Sequence, residues 1–250
     1  MKKLWFILLL LLPVAAAGQE ASLQFEQANG LYRSGSFEKA AELYEQILKN
    51  GYESPALYYN LGNAYFKLQN IPAAILAYER ARRLAPHDED ILYNLRLANL
   101  RVVDKIEPLP QLFLFEWWGS FVSLLTSERW GILAIAGLWI AVIAATLYRV
   151  ARGALFRRMA FLVCGVMMLF SILAFVGGVQ RHHAEQSASG AIVFAQSVSV
   201  KSAPDAQSTD LFVLHEGVKV DVMDNVGEWR KIRLADGKEG WVVISSIQLI

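Results

Sequence analysis

One cysteine and four histidines are the only thiol and imidazole side chains in these 250 residues. Cys164 lies inside an apolar run, has no second cysteine to pair with, and reads as packing. His87 and His215 stand apart. His182-His183 has Glu185 nearby, but no further carboxylate or thiol completes a metal site. The pair reads as solvated and adjacent to the apolar segment before it. No phosphate-cradling glycine loop occurs, and no G-x-S-x-G. Acidic residues fall mostly on polar helix faces. These absences argue against an enzyme, and neither cofactor nor metal is expected. Charge is also sparse: 19% of residues are charged against 55% apolar, more apolar than a soluble chain of this kind shows.

What is present is organised by a period. Tyr58-x2-Leu61-Gly62-x2-Tyr65 is followed by Ala74-x3-Tyr78-x2-Ala81 and then Pro86. Tyr58, Leu61 and Tyr65 share one helix face. Gly62 and Ala74 are small enough for two antiparallel helices to approach closely. Gln69-Asn70 makes the turn, Pro72 sits in the first turn of the second helix, and Pro86 ends it. A weaker copy precedes it. There Ala28, Leu31, Ala40, Tyr44 and Ile47 stand where Gly62, Tyr65, Ala74, Tyr78 and Ala81 stand in the strong copy, and Gly35 serves the turn. Shifted forward by the same interval, Tyr93-Asn94-Leu95 restarts the first helix, but Pro108 and Pro110 prevent a second, so 88–104 reads as a capping helix. The spacing resembles the tetratricopeptide repeat (TPR), with Tyr58 and Tyr78 replacing the usual Trp and Phe. Such arrays normally need about three repeats for stability. Two and a cap implies support from a partner or a membrane.

The resemblance implies a protein-binding groove on the first helices of the repeats. By register, Phe25, Asn29, Tyr32 and Arg33 face it from the first repeat, and Tyr59, Asn63, Phe66 and Lys67 from the second. The Asn side chains suit a peptide backbone, and the aromatics supply interface area. Alternatively these residues pack the array itself. A two-carboxylate clamp is incomplete, because Phe25 stands where that clamp has Lys and Leu97 is apolar.

Membrane signals surround this region. Lys2-Lys3, apolar 4–14 and Ala15-Ala16-Ala17 have the three parts of a secretory signal peptide, cleaved near Ala17 or Gly18 or retained as an anchor. Segments 131–148 and 159–179 carry no charge and are long enough to span a bilayer. Between them stand Arg149, Arg152, Arg157 and Arg158 with no acid, whereas 18–104 has nine basic and eleven acidic residues and 190–250 has six and eight. The positive-inside rule puts the Arg loop in the cytoplasm and both flanking domains outside. Segment 111–125, with Phe113, Phe115, Trp117, Trp118 and Phe121, reads as an amphipathic helix at the interface. If it spanned instead, the C-terminal region would fall on the cytoplasmic side.

From residue 190 the rhythm becomes that of short strands: 191–194, 198–201, 211–214, 218–223, 229–234 and 240–244. Leu214-His215-Glu216-Gly217, Glu228-Trp229-Arg230-Lys231-Ile232 and Asp236-Gly237-Lys238-Glu239-Gly240-Trp241-Val242 resemble motifs of bacterial SH3 domains. The resemblance implies a small β-barrel. Pro-rich ligands are not implied, since no tyrosine occurs after Tyr148. Trp229 and Trp241 are candidates for a ligand face, and Trp241 is alternatively a structural residue closing the barrel.

The expected fold is a multidomain α plus β membrane protein: signal peptide 1–18, TPR domain 19–105, linker and interfacial helix 106–128, transmembrane helix 129–149, Arg-rich loop 150–158, transmembrane helix 159–179, linker 180–189 and SH3-like domain 190–250. This layout resembles the aerotolerance (Bat) E family of bacterial envelope proteins. That resemblance implies partnership with membrane-anchored von Willebrand A-domain proteins and a MoxR-type ATPase, and a role in envelope stress or oxygen tolerance. The expected function is a scaffold at the inner membrane, with both soluble domains on its outer side. The alternative is a peptidoglycan-binding protein acting through the SH3-like domain.

Overall fold

The computed structural model describes residues 20–109, 113–186 and 190–250. The signal-peptide segment 1–18 lies outside the described residues. The chain divides into two units, one of Met1–Pro108 with Ser189–Ile250, the other Leu109–Ala188.

The first unit opens with five helices: α1 (20–33), α2 (Phe37–Lys49), α3 (Pro55–Lys67), α4 (Ile71–Leu84) and α5 (Glu89–Asn99). Their starts are written in side chains. Ser54 Oγ accepts from Leu57 N–H, Asn70 Oδ1 from Ala73 N–H, and Asp88 Oδ1 from the N–H groups of Asp90 and Ile91. Each helix pair turns on a left-handed residue, Gly35 at φ 82° in the first and Gln69 at φ 60° in the second. Gly62 explains how closely α3 and α4 approach. A Cβ there would lie 2.5 Å from Cε1 of Tyr78. Ala28, at the equivalent place in α1, is fully buried.

The rest of this unit is an antiparallel sheet: β1 (Gly190–Val193), β2 (Ser197–Lys201), β3 (Asp210–His215), β4 (Lys219–Val226), β5 (Trp229–Arg233), β6 (Glu239–Val243) and β7 (Ile247–Leu249), in the order β3-β2-β6-β5-β4-β1-β7. The strand rhythm of the sequence omits β7, which follows a 3-10 turn and pairs with β1. Val200, Val220, Ile232 and Val242 form its centre.

Helices and sheet share one core. Ile75, Leu95, Ala98 and Val102 join the same buried cluster as Ile192, Val193, Val218 and Val220. Strand β1 is buried along its whole length, because the sheet covers one side and α4 lies against it. Polar contacts frame the junction. Lys219 Nζ lies 3.0 Å from the buried Glu79 carboxylate, which also holds Arg82 at 2.6 Å. Arg80 and Arg83 donate to the carbonyls of Leu249 and Ile250. Asp104 accepts from His215 N–H at 2.7 Å, and its other oxygen lies 2.9 Å from His215 Nδ1. Gly217, at φ 86°, brings its backbone against Val102, and a Cβ would stand 2.9 Å from Cγ2. The support that a two-repeat array needs therefore comes from within the chain, through the sheet.

The second unit comprises α6 (Phe113–Ser123), α7 (Ser127–Val150) and α8 (Ala154–Gln186). Both α7 and α8 are long and apolar enough to cross a membrane. Their seam is made of small residues: Ala134, Ala141 and Ala144 of α7 are buried, as are Ala160 and Ala174 of α8. Gly137 faces Phe170, where a Cβ would lie 3.1 Å from the ring. Ser171 Oγ donates to Ala134 C=O at 2.8 Å. Large apolar side chains such as Ile135, Trp139, Phe161 and Phe175 point outward. Helix α6 packs on α8, Trp118 Nε1 donates to Gln180 Oε1 at 2.7 Å, and the buried Trp130 donates to Val122 C=O.

Candidate protein-binding face

The first helices of the repeats carry a hydrogen-bond ladder with the period of the sequence. Asn29 Oδ1 accepts from Tyr44 OH at 2.6 Å and from Asn60 Nδ2 at 2.9 Å. One repeat later, Asn63 Oδ1 accepts from Tyr78 OH at 2.7 Å and from Asn94 Nδ2 at 2.8 Å. Each Asn thus ties its own repeat's second helix to the next repeat's first. The side-chain oxygen sought for a peptide backbone is already engaged, so any ligand bond from these residues falls to the amide nitrogen. Asn29 Nδ2 has a long bond to Glu26, at 3.4 Å. The ladder stops at Leu97, which occupies the next equivalent position.

Burial acts on the tyrosines of this ladder. It pushes the Tyr44 hydroxyl up to about 12, with neighbouring Tyr32 adding to the effect. Tyr78 is raised further, by burial first and Tyr59 second. Burial and then a hydrogen bond to Glu45 raise Tyr65. These hydroxyls act as donors and are not acid–base groups near neutral pH.

The other sequence-derived candidates separate by exposure. Phe25 is half-buried against Tyr44, with ring centroids 5.9 Å apart, and Tyr32 stacks edge-on with Phe37 at 5.2 Å. Tyr59 is half-buried, and its OH accepts from Asn94 at 3.0 Å. Phe66 packs against the core shared with the sheet. Arg33 and Lys67 are exposed.

The period also exposes residues that sequence reasoning missed. Arg101 stands one repeat beyond Lys67, as Lys67 does beyond Arg33, and all three are exposed. Among the described residues none of the three forms an ion pair. Arg33 and Lys67 close their helices, where a cation also meets the negative end of the helix dipole. Tyr93 continues the row of Phe25 and Tyr59 and is 60% exposed. Carrying the repeat register one step further finds Tyr93 in α5 and Arg101 just beyond its end. Below Tyr59 a cleft of about 310 Å³ is lined by Ser54, Pro55, Ala56, Asp88, Asp90 and Ile91.

On the sheet, Trp229 lies opposite Val243 and Trp241 opposite Lys231. The alternation of β5 and β6 puts both Trp residues on the face turned from Ile232 and Val242, the buried pair. They are diagonal neighbours, within reach of each other for side chains this long. Both are half-buried. Lys231 and then Arg233 hold the Glu239 carboxyl on this face below its usual range. The outer register of Trp241 places it away from the sheet's buried centre.

Among the described residues no group of three or more His, Cys, Asp or Glu side chains is placed to hold a metal ion.

Comparison with known proteins identifies the two modules. Residues 25–89 match the tetratricopeptide repeat family model, and residues 196–246 match the bacterial SH3 domain model. A stretch of the chain is also similar to BBSome complex member BBS4 of Bos taurus and of Mus musculus, at 41% identity over 66 residues in each case. That similarity covers 26% of this chain and spans only 13% of the length of those relatives. The chain is thus a mixed α plus β protein with a TPR region, two long apolar helices and an SH3-like sheet domain.

Proposed function

We propose that this protein is a non-catalytic, cofactor-free scaffold anchored in a bacterial inner membrane, holding partner proteins on the TPR face. The observation that carries the reading is a pair of rows that recur with the repeat. Phe25, Tyr59 and Tyr93 form one, and the exposed cations Arg33, Lys67 and Arg101, without ion pairs among the described residues, form the other. The partner segment these rows fit is extended, with apolar and acidic side chains. The resemblance of the layout to the Bat E family supports von Willebrand A-domain membrane proteins and a MoxR-type ATPase complex as partners, in aerotolerance or envelope stress.

The shared core supports the topology. Helices and sheet that bury Ile75 and Val102 against Val218 must lie on one side of a membrane, so an even number of spans separates them. Helices α7 and α8 satisfy this and leave α6 at the interface. The signal peptide and the four Arg residues between α7 and α8 support placing both modules on the outer side.

Photo-crosslinkers at Tyr59 and Tyr93 test this in cells. Envelope-protein adducts are expected, and they are expected to disappear when Arg33, Lys67 and Arg101 are all changed to Glu. Adducts that survive that change, or none at all, would count against the reading.

A second reading has its own observation: Trp229 and Trp241 together on the outer face of the sheet. Such a platform suits stacking on cell-wall glycan, and the bacterial SH3 match supports it. Retention on peptidoglycan sacculi that is lost in Trp229→Ala/Trp241→Ala would favour this alternative.

A further inference from the structure

We infer that the turn joining α7 and α8 is a binding site for the headgroup of an acidic phospholipid. The inference rests on reading α7 and α8 as membrane spans. Four arginines crowd this end, Arg149 and Arg152 beside the turn and Arg157 and Arg158 at the start of α8, and no acidic residue lies among them. Helix α8 has no acid in its first turn, so Arg157 and Arg158 stand at the positive end of the dipole without compensation. Among the described residues none of the four arginines forms an ion pair.

One of the arginines is also held in place. The guanidinium of Arg157 lies 4.9 Å from the centre of the Tyr148 ring, and Tyr148 packs on Phe161 with centroids 6.1 Å apart. A stacked guanidinium still presents its N–H edge for bidentate bonds to phosphate. Tyr148, Ala154, Arg157, Arg158 and Phe161 line a recess of about 380 Å³. Leu155, Phe156, Met159 and Leu162, exposed beside it, give an apolar surface on which acyl chains lie. A free phosphate would gain nothing from those side chains, whereas a lipid uses both surfaces. Basic pockets between spanning helices on the cytoplasmic side are suited to such headgroups.

The test uses the full-length chain in vesicles of phosphatidylcholine alone or mixed with phosphatidylglycerol. Flotation of the protein with both compositions checks the spanning reading; failure to float with either sinks that reading and the site with it. After extraction into mild detergent, native mass spectrometry measures the lipid retained, and a titration with short-chain phosphatidylglycerol measures its affinity. Selective retention of phosphatidylglycerol is expected. Arg157→Gln/Arg158→Gln should weaken it about thirtyfold, while Arg157→Lys/Arg158→Lys keeps most of the preference. Arg129→Gln, at the opposite end of α7, should leave it unchanged. The proposal is overturned by equal retention of both lipids, by a Gln double variant that binds like the parent, by equal losses in R129Q, or by displacement of the lipid at millimolar inorganic phosphate.

Discussion

The two units are built inside-out with respect to each other. In the first, large side chains such as Ile75, Tyr78, Ile192 and Ile232 are buried and charges decorate the outside. In the second, small residues line the seam, and Ile, Leu, Phe and Trp side chains face outward. The first unit is assembled by the hydrophobic effect in water. In the second, close approach of backbones and the Ser171–Ala134 hydrogen bond join α7 to α8, the pattern expected of helices that pack in lipid. On the reading of α7 and α8 as spans, the two seams face different solvents, and the same substitution should carry a different cost in each.

Ile75→Ala should have the largest effect. It empties a fully buried site shared by helices and sheet, and about 3 kcal/mol of stability is expected to be lost. Thermal unfolding followed at a helical and a sheet signal should shift for both together; a shift in only one would break the idea of a common core. Next comes Asn63→Ala, which leaves the buried Tyr78 hydroxyl without its acceptor and the Asn94 amide with Tyr59 alone, for about 2 kcal/mol. The equivalent Asn29→Ala should cost a similar amount, since Asn29 holds the corresponding pair, Tyr44 and Asn60. Denaturant titration of both variants measures the ladder.

Alkaline pH probes the same residues. The folded Tyr44 hydroxyl is raised to about 12 from an ordinary value of 10, so its contribution is complete below pH 10. As pH rises through 12 the tyrosinate forms in both states and that contribution is lost. Melting temperature should fall over this window, and the fall should be smaller in Tyr44→Phe/Tyr78→Phe. An equal fall in the double variant would place the titration elsewhere.

In the hairpin, Gly137→Val drives two methyls toward Phe170 and should cost about 1–3 kcal/mol of helix association. Ser171→Ala should be mildest, about 0.6 kcal/mol. Neither should move the melting of the first unit. Helix association measured by energy transfer across the α7–α8 pair provides the check.

Much of this was legible from one repeated spacing. Gly62, Tyr78 and the turn at Gln69 were placed by their distance from one another, and alternation marked most strands. Helix–sheet docking escaped for a physical reason. Its polar contacts are single pairs far apart in sequence, such as Asp104 with His215 and Glu79 with Lys219, and no period links them. One signal was available. Ala191-Ile192-Val193 is continuously apolar, as befits a strand covered on both sides, but Leu211-Phe212-Val213-Leu214 is too, with Leu211 and Val213 exposed, so the run alone does not mark the docked strand. Strand β7 was missed because so short a strand after a 3-10 turn carries no rhythm. On the first helices, the Asn residues were located by register, but their engagement with Tyr44 and Tyr78 depends on side-chain reach between helices.

The junction of α4 with the last strand also imposes an order of events. Arg80 and Leu249 meet across 169 residues, and everything between them must be made first. During synthesis the helices emerge with Ile75 and Val102 uncovered, then wait while two long apolar helices are made and the sheet follows. Contacts of such long separation form late. For that interval the newborn array exposes a sticky surface to chaperones and proteases, and a chain cut short after α8 never closes it. Addition of β7 thus serves as a check, written into the fold, that the helices, the apolar pair and the sheet have all been made.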